Sequence, residues 1–160
     1  MAQQEFETSY PGVTGTISAV AANGLGLLDV SPSENIIRTD QPWEVSLNWT
    51  VTGLVVPAMA GDFHLTVYLE ALGPGLDEDL PNVPGPDEVV IPFTSGSLSV
   101  LTRTFKRTIN FGAGTPALPA SIRQQAYKLI VAVTYTETDG TPGPMAAFTE
   151  GPIVQFYRAV

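Results

Sequence analysis

The chain contains no cysteine, so disulfides, thiolate metal ligands and cysteine nucleophiles are all excluded. It has one histidine, His64, on the polar face of an expected strand and so read as a solvated side chain; a zinc site would need several His, Asp or Glu partners beyond it, and hydrolysis a nucleophile beside it. Positive charge is scarce: 7 Lys and Arg stand against 16 Asp and Glu, a formal net charge of -9. That balance excludes a basic footprint for nucleic acid and disfavours anionic membrane surfaces. No basic residue precedes Arg38. Nothing approaches the ~18 consecutive apolar residues of a membrane span. The N-terminal Met-Ala-Gln-Gln-Glu-Phe-Glu-Thr carries neither a positive region nor an apolar one, so no secretory signal is expected. Phosphate-cradling glycine loops, GxSxG and HExxH are also missing.

What the chain does have is a sizeable apolar fraction, 44%, in 160 residues, enough for one domain with a real core. Only 14% of residues are charged, so Thr, Ser, Gly and Pro must fill many surface positions, a habit of β-sandwiches. The clearest element runs from Trp43 to Val51. There Trp43, Val45, Leu47, Trp49 and Val51 alternate with Glu44, Ser46, Asn48 and Thr50, a period of 2 that predicts a half-buried strand. Phe63 to Ala71 and Tyr127 to Tyr135 repeat the pattern. Val89 to Ile91 predicts a short strand closed by Pro92, and Leu98 to Phe111 a long one with imperfect alternation. Ala146–Phe148 and Ile153–Tyr157 predict a last strand broken by Gly151-Pro152, which suggests a bulge or a change of pairing. Ser121–Gln125 reads as a single helical turn. Strands separated by turn signals, with no helix of useful length, predict an all-β antiparallel sandwich of about seven to nine strands.

Residues 1–24 read differently. Val13–Val20 has a weak strand pattern rich in Ala and Gly, so an extended N-terminal arm or an added edge strand is expected there, with the sandwich over 25–160. An arm can add itself to a neighbour's sheet edge; the simpler reading, that it pairs within its own sandwich, is slightly favoured.

The segment DVSPSENIIRTDQPWEVSLNWTV is similar to the split first strand and long second strand of immunoglobulin-like or fibronectin type III-like modules. LPASIRQQAYKLIVAVTY resembles their approach to the sixth strand, with Tyr127 at the corner position. The resemblance covers about residues 27–157 and implies architecture alone. It departs from antibody domains in lacking both cysteines and in placing a tryptophan on the second strand.

Several residues are candidates for a site. Asp77, Glu78 and Asp79 with Asp87 and Glu88 could offer carboxylate oxygens to calcium, although three prolines and a glycine separate the two halves; a solvated acidic loop is the plain reading. Glu137 and Asp139 are a second acidic pair. Leu54, Val55 and Val56 form an apolar run in a loop, where exposed apolar residues mark a contact surface unless they fold back over the sandwich. Arg103 and Arg107 share parity with inward residues. They therefore sit at an edge, follow a bulge, or meet carboxylates of this chain or a partner. With Val13 and Ile17 of the arm, these are the candidate interaction residues. The expectation is a non-enzymatic structural or interaction sandwich, part of a phage-like particle, secretion apparatus or fibre, in the cytoplasm or on a particle. It would pair with itself or other proteins, without nucleic acid, membrane insertion or cofactor. A carbohydrate- or calcium-binding module is the alternative, with outward Tyr68 as a sugar platform.

Overall fold

A computed structural model describes residues 4–8, 10–23, 36–73, 78–80 and 89–159. They build two packed sheets, antiparallel apart from one short ladder. The five-stranded sheet has the order β1 (Gln4–Glu5), β3 (Thr14–Asn23), β5 (Trp43–Thr52), β10 (Thr102–Phe111) and β9 (Ser97–Ser99). The seven-stranded sheet runs β2 (Glu7–Thr8), β12 (Pro142–Tyr157), β11 (Gln124–Glu137), β6 (Gly61–Ala71) and β7 (Glu78–Leu80). To it β4 (Ile36–Arg38) adds in parallel beside β12, and β8 (Val89–Pro92) beside β6. The chain is an all-β sandwich, and the pieces beyond its long strands are segments of two to four residues.

The alternation fixes which residues lie between the sheets. On β5 the five apolar residues are buried, and the same holds for Phe63, Leu65, Val67 and Leu69 on β6 and for Tyr127 to Tyr135 on β11. Aromatic rings anchor both ends of this core. At one end Trp43 stacks on Phe111 at 4.5 Å and meets Phe156 edge-on at 5.1 Å, while its Nε1 donates to Thr115 O at 2.7 Å. At the other, Trp49 stacks on Phe105 at 5.1 Å, and Phe63, Phe93 and Tyr135 close round them. Such pairs add about 0.5–1.5 kcal/mol each beyond their burial.

Of the two forms expected for residues 1–24, Thr14–Asn23 takes that of an added strand. It pairs with β5 over its whole length, from Thr14 opposite Thr52 to Asn23 opposite Trp43. Val13 and Ile17, expected as interaction residues, are buried core residues instead. Small side chains allow this. A Cβ on Gly15 would lie 2.8 Å from the Phe6 ring and 2.9 Å from Thr50 O, so glycine there lets Phe6 roof the strand. Residues 5–7 carry the chain from one sheet to the other, because Glu5 pairs with Thr16 on β3 and Glu7 with Ala146 on β12.

Two local expectations change, and at Gly151-Pro152 the first of the two expected forms is found. Leu98–Phe111 is a hairpin: Ser99 pairs with Thr102, leaving Val100 and Leu101 as its turn. Ser121–Gln125 is not a helical turn: Ile122 N to Pro119 O closes a turn over Pro119–Ile122, and Gln124 and Gln125 already belong to β11. At Gly151-Pro152 the ladder slips, with Lys128 opposite Ile153 but Ile130 opposite Glu150, so two residues of β12 face one of β11. This is a bulge. Residues 29–35, where the split first strand is expected, lie outside the described residues.

Candidate binding surface at one end of the sandwich

The turn between β5 and β6 sorts its apolar run. Val56 N donates to Gly53 O and Ala58 N to Val55 O, forming a 3-10 turn with Pro57 near its start. This tucks Val56 fully into the core and lifts its neighbours out: Leu54 is 84% exposed and Val55 43%. Of the three residues expected here as contacts, Leu54 and Val55 are therefore on the surface and Val56 is structural.

The β9–β10 hairpin lies alongside. Gly53 N donates to Leu101 O at 3.0 Å, and the hydroxyls of Thr52 and Thr102 meet at 2.8 Å. At its tip Val100 is 84% exposed with φ 54°. A β-branched residue in this left-handed region costs roughly 1–2 kcal/mol, and glycine is its ordinary occupant. Leu98 beside it is also exposed. Nothing in the sequence marks this turn, since no Gly, Asn, Asp or Pro stands at 100 or 101 and the run reads as continuous strand.

The turn over Tyr10–Gly12 completes the end. Gly53 has no room for a Cβ, with Gly12 O 2.8 Å from where one would sit. Tyr10 OH donates to Glu137 Oε1 and its ring meets Tyr135 edge-on at 6.4 Å. Burial, the Glu137 hydrogen bond and its charge push the Tyr10 hydroxyl well above the ordinary tyrosine range. Burial first, then the charges of Glu137 and Asp62, push Tyr135 up to about 12. Its hydroxyl donates to Ala60 O at 3.1 Å. Between these groups opens a cleft of about 360 Å³, walled by Tyr10, Val55, Met59, Tyr135 and Glu137. The loop that carries the chain from β5 in one sheet to β6 in the other, the β9–β10 and β11–β12 hairpin loops and the N-terminal turn thus form one surface, apolar at its tips and seated on a stiff aromatic base.

The other candidates fall elsewhere. Arg103 is buried, but meets none of the partners expected for it. Its Nη1 donates to Thr94 O at 3.2 Å and Gly96 O at 3.0 Å, and its guanidinium lies 5.5 Å from the Phe93 ring centre. It pins the turn before β9. Arg107 is exposed, because β9 covers β10 only over Thr102–Thr104 and no described strand pairs outside residues 105–111. His64, half-buried, contacts Thr136 Oγ1 at 2.9 Å. Tyr68 is half-buried on the outer face of β6. Asp139 accepts from Thr141 N and Oγ1, which hold its carboxyl below the usual range. Asp77, Asp87 and Glu88 lie outside the described residues, and Glu78 and Asp79 are placed on β7 by backbone alone. Among the described residues no group of three or more His, Asp or Glu side chains could hold a metal ion, and no helix is long and apolar enough to cross a membrane. Comparison with protein-family models, with curated proteins and with solved structures found no match to this chain.

Proposed function

We propose that the chain is a non-enzymatic, immunoglobulin-like sandwich serving as an interaction subunit of a larger protein assembly, such as a phage-like particle, a secretion apparatus or a fibre. Strand order supports the immunoglobulin-like reading. The sheet β3-β5-β10-β9 and the sheet β12-β11-β6-β7 follow the order of the two sheets in such domains. In that order the β5–β6, β9–β10 and β11–β12 loops gather at one end, the end that variable domains use for binding.

The observation that carries the interaction role is the pair of exposed apolar tips. Leu54 and Val100 stand exposed on neighbouring turns, tied by the Gly53 N to Leu101 O bond, and Val100 occupies a backbone position that glycine would fill without strain. Strain and exposed apolar surface kept together at a loop cluster are the mark of a docking surface. Among the described residues no observation favours the carbohydrate or calcium alternative.

The test replaces both tips, Leu54→Asp with Val100→Asp, in the cells that make the protein. Both sites are solvent-facing, so the melting temperature should stay within a few degrees. A stoichiometric protein that co-purifies with the wild-type chain should be lost from the double variant and retained by a control such as Glu44→Gln on the far sheet face. Equal recovery from all three chains would refute the loop-end role.

A further inference from the structure

The outer face of the seven-stranded sheet holds a groove of about 510 Å³, distinct from the loop end. The ladders place its residues. Glu7 stands opposite Ala146, Phe148 opposite Ala132, and Glu150 opposite Ile130. Ala132 and Ala146 make a low floor, Phe148 a wall that is 54% exposed, and Glu5, Glu7 and Glu150 the rim. The three carboxylates are exposed, and none has an ion pair or side-chain hydrogen bond among the described residues. They form no metal-holding group, so their spacing suits something larger than an ion. An aliphatic stem lying on alanine and phenylalanine, with a cationic head at the rim, fits both halves of the groove.

The chain's own cations identify the occupant. All seven Lys and Arg are described. Arg38 pairs with Asp40 at 2.6 Å and Lys128 with Glu70 at 3.6 Å. Arg103 is buried, and Arg158 donates to the carbonyls of Leu118, Pro119 and Ala120. That leaves Lys106, Arg107 and Arg123 exposed without an ion pair among the described residues. Lys106 and Arg107 are adjacent, so they leave opposite faces of the stretch of β10 that no described strand covers, and both are exposed at that edge. They belong to the opposite sheet from the groove, so one molecule cannot satisfy itself.

We infer that the groove receives Lys106 and Arg107 from a second copy of this chain, joining copies head to tail. The contact is heterologous, with a different surface contributed by each copy, so it builds rings or filaments rather than closing as a two-fold dimer. It rests on the assembly reading above and supplies the copy-to-copy contact, leaving the loop tips for a different protein. The net charge of -9 makes copies repel at long range, which keeps the contact weak and most visible at moderate salt, where that repulsion is screened.

Charge reversal tests it with the purified full chain. In sedimentation velocity up to about 1 mM, the wild-type coefficient should rise with concentration. Glu7→Lys with Glu150→Lys should stay monomeric, as should Lys106→Glu with Arg107→Glu. An equimolar mixture of the two should associate again, because each variant offers the other a complementary surface. Equal melting temperatures confirm that the variants are folded, and Glu7→Gln with Glu150→Gln, which removes charge without reversing it, should weaken association severalfold. A wild type that is monomeric throughout, or a mixture that fails to associate, overturns the proposal. So does association lost in Leu54→Asp with Val100→Asp but kept in both charge variants, which would place the copy contact at the loop end. Loss of the co-purifying protein with self-association intact would separate the two surfaces.

Discussion

Replacing Ile17 with alanine tests whether the N-terminal strand is part of the core. Ile17 is fully buried, opposite Trp49 on one side and Gln4 on the other. Ile17→Ala removes three carbon groups, at about 0.8 kcal/mol of lost transfer energy each. The site is walled by the long β3–β5 ladder and cannot collapse freely, so a cavity term adds to this and the total comes to roughly 3–4 kcal/mol. For a chain of this size that lowers the melting temperature by about 6–15 °C. Urea unfolding followed by fluorescence of Trp43 and Trp49 would read it directly, since both rings are buried, with the midpoint falling and the slope unchanged. A loss below about 0.5 kcal/mol, the scale of a surface change, would mean the strand is detachable, and its place in the sheet would be refuted.

Other outcomes follow from the same contacts. Arg103→Ala should cost about 3 kcal/mol in chemical denaturation, because it removes two charged hydrogen bonds and leaves Thr94 O and Gly96 O without their donor; an intact stability would show that the turn does not depend on it. Arg103→Lys should recover little, since one ammonium does not reproduce the planar fork over Phe93. Stability should also fall at high pH. Tyr135, pushed up to about 12 in the folded chain, titrates near 10 when unfolded. The unfolded state therefore releases its proton first, and the stability this group contributes, complete below pH 10, drains away as pH rises toward about 12. Tyr135→Phe should flatten that part of the curve, and an unchanged slope would contradict the shift.

The strands that carry the core were legible because their alternation is strict. Trp43–Thr52, Gly61–Ala71 and Gln124–Glu137 each place large apolar residues on one face, and no competing period fits them. Thr14–Asn23 was harder to read, since its Ala and Gly residues carry little signal of their own; what buries it is Phe6, from a different strand segment, packing over Gly15. The Val100-Leu101 turn was invisible because it lacks turn residues and spends strain instead. Parity placed Arg103 inward correctly, yet its partners are carbonyls of a turn seven to nine residues away, which no side-chain pattern encodes. The loop end was half legible. Leu54-Val55-Val56 stood out as an apolar run, but only the 3-10 turn decides which of the three faces solvent. The groove escaped notice because Glu7, Phe148 and Glu150 converge through sheet pairing alone.

The interaction role is tested most directly by a photo-reactive residue at position 54, activated in the cells that make the protein, with the same residue at position 44 as a control. A single defined protein cross-linked from position 54 and absent from position 44 is the predicted result. A chain that stays uncross-linked from position 54, or that yields the same products from both positions, would contradict a docking surface at the loop end.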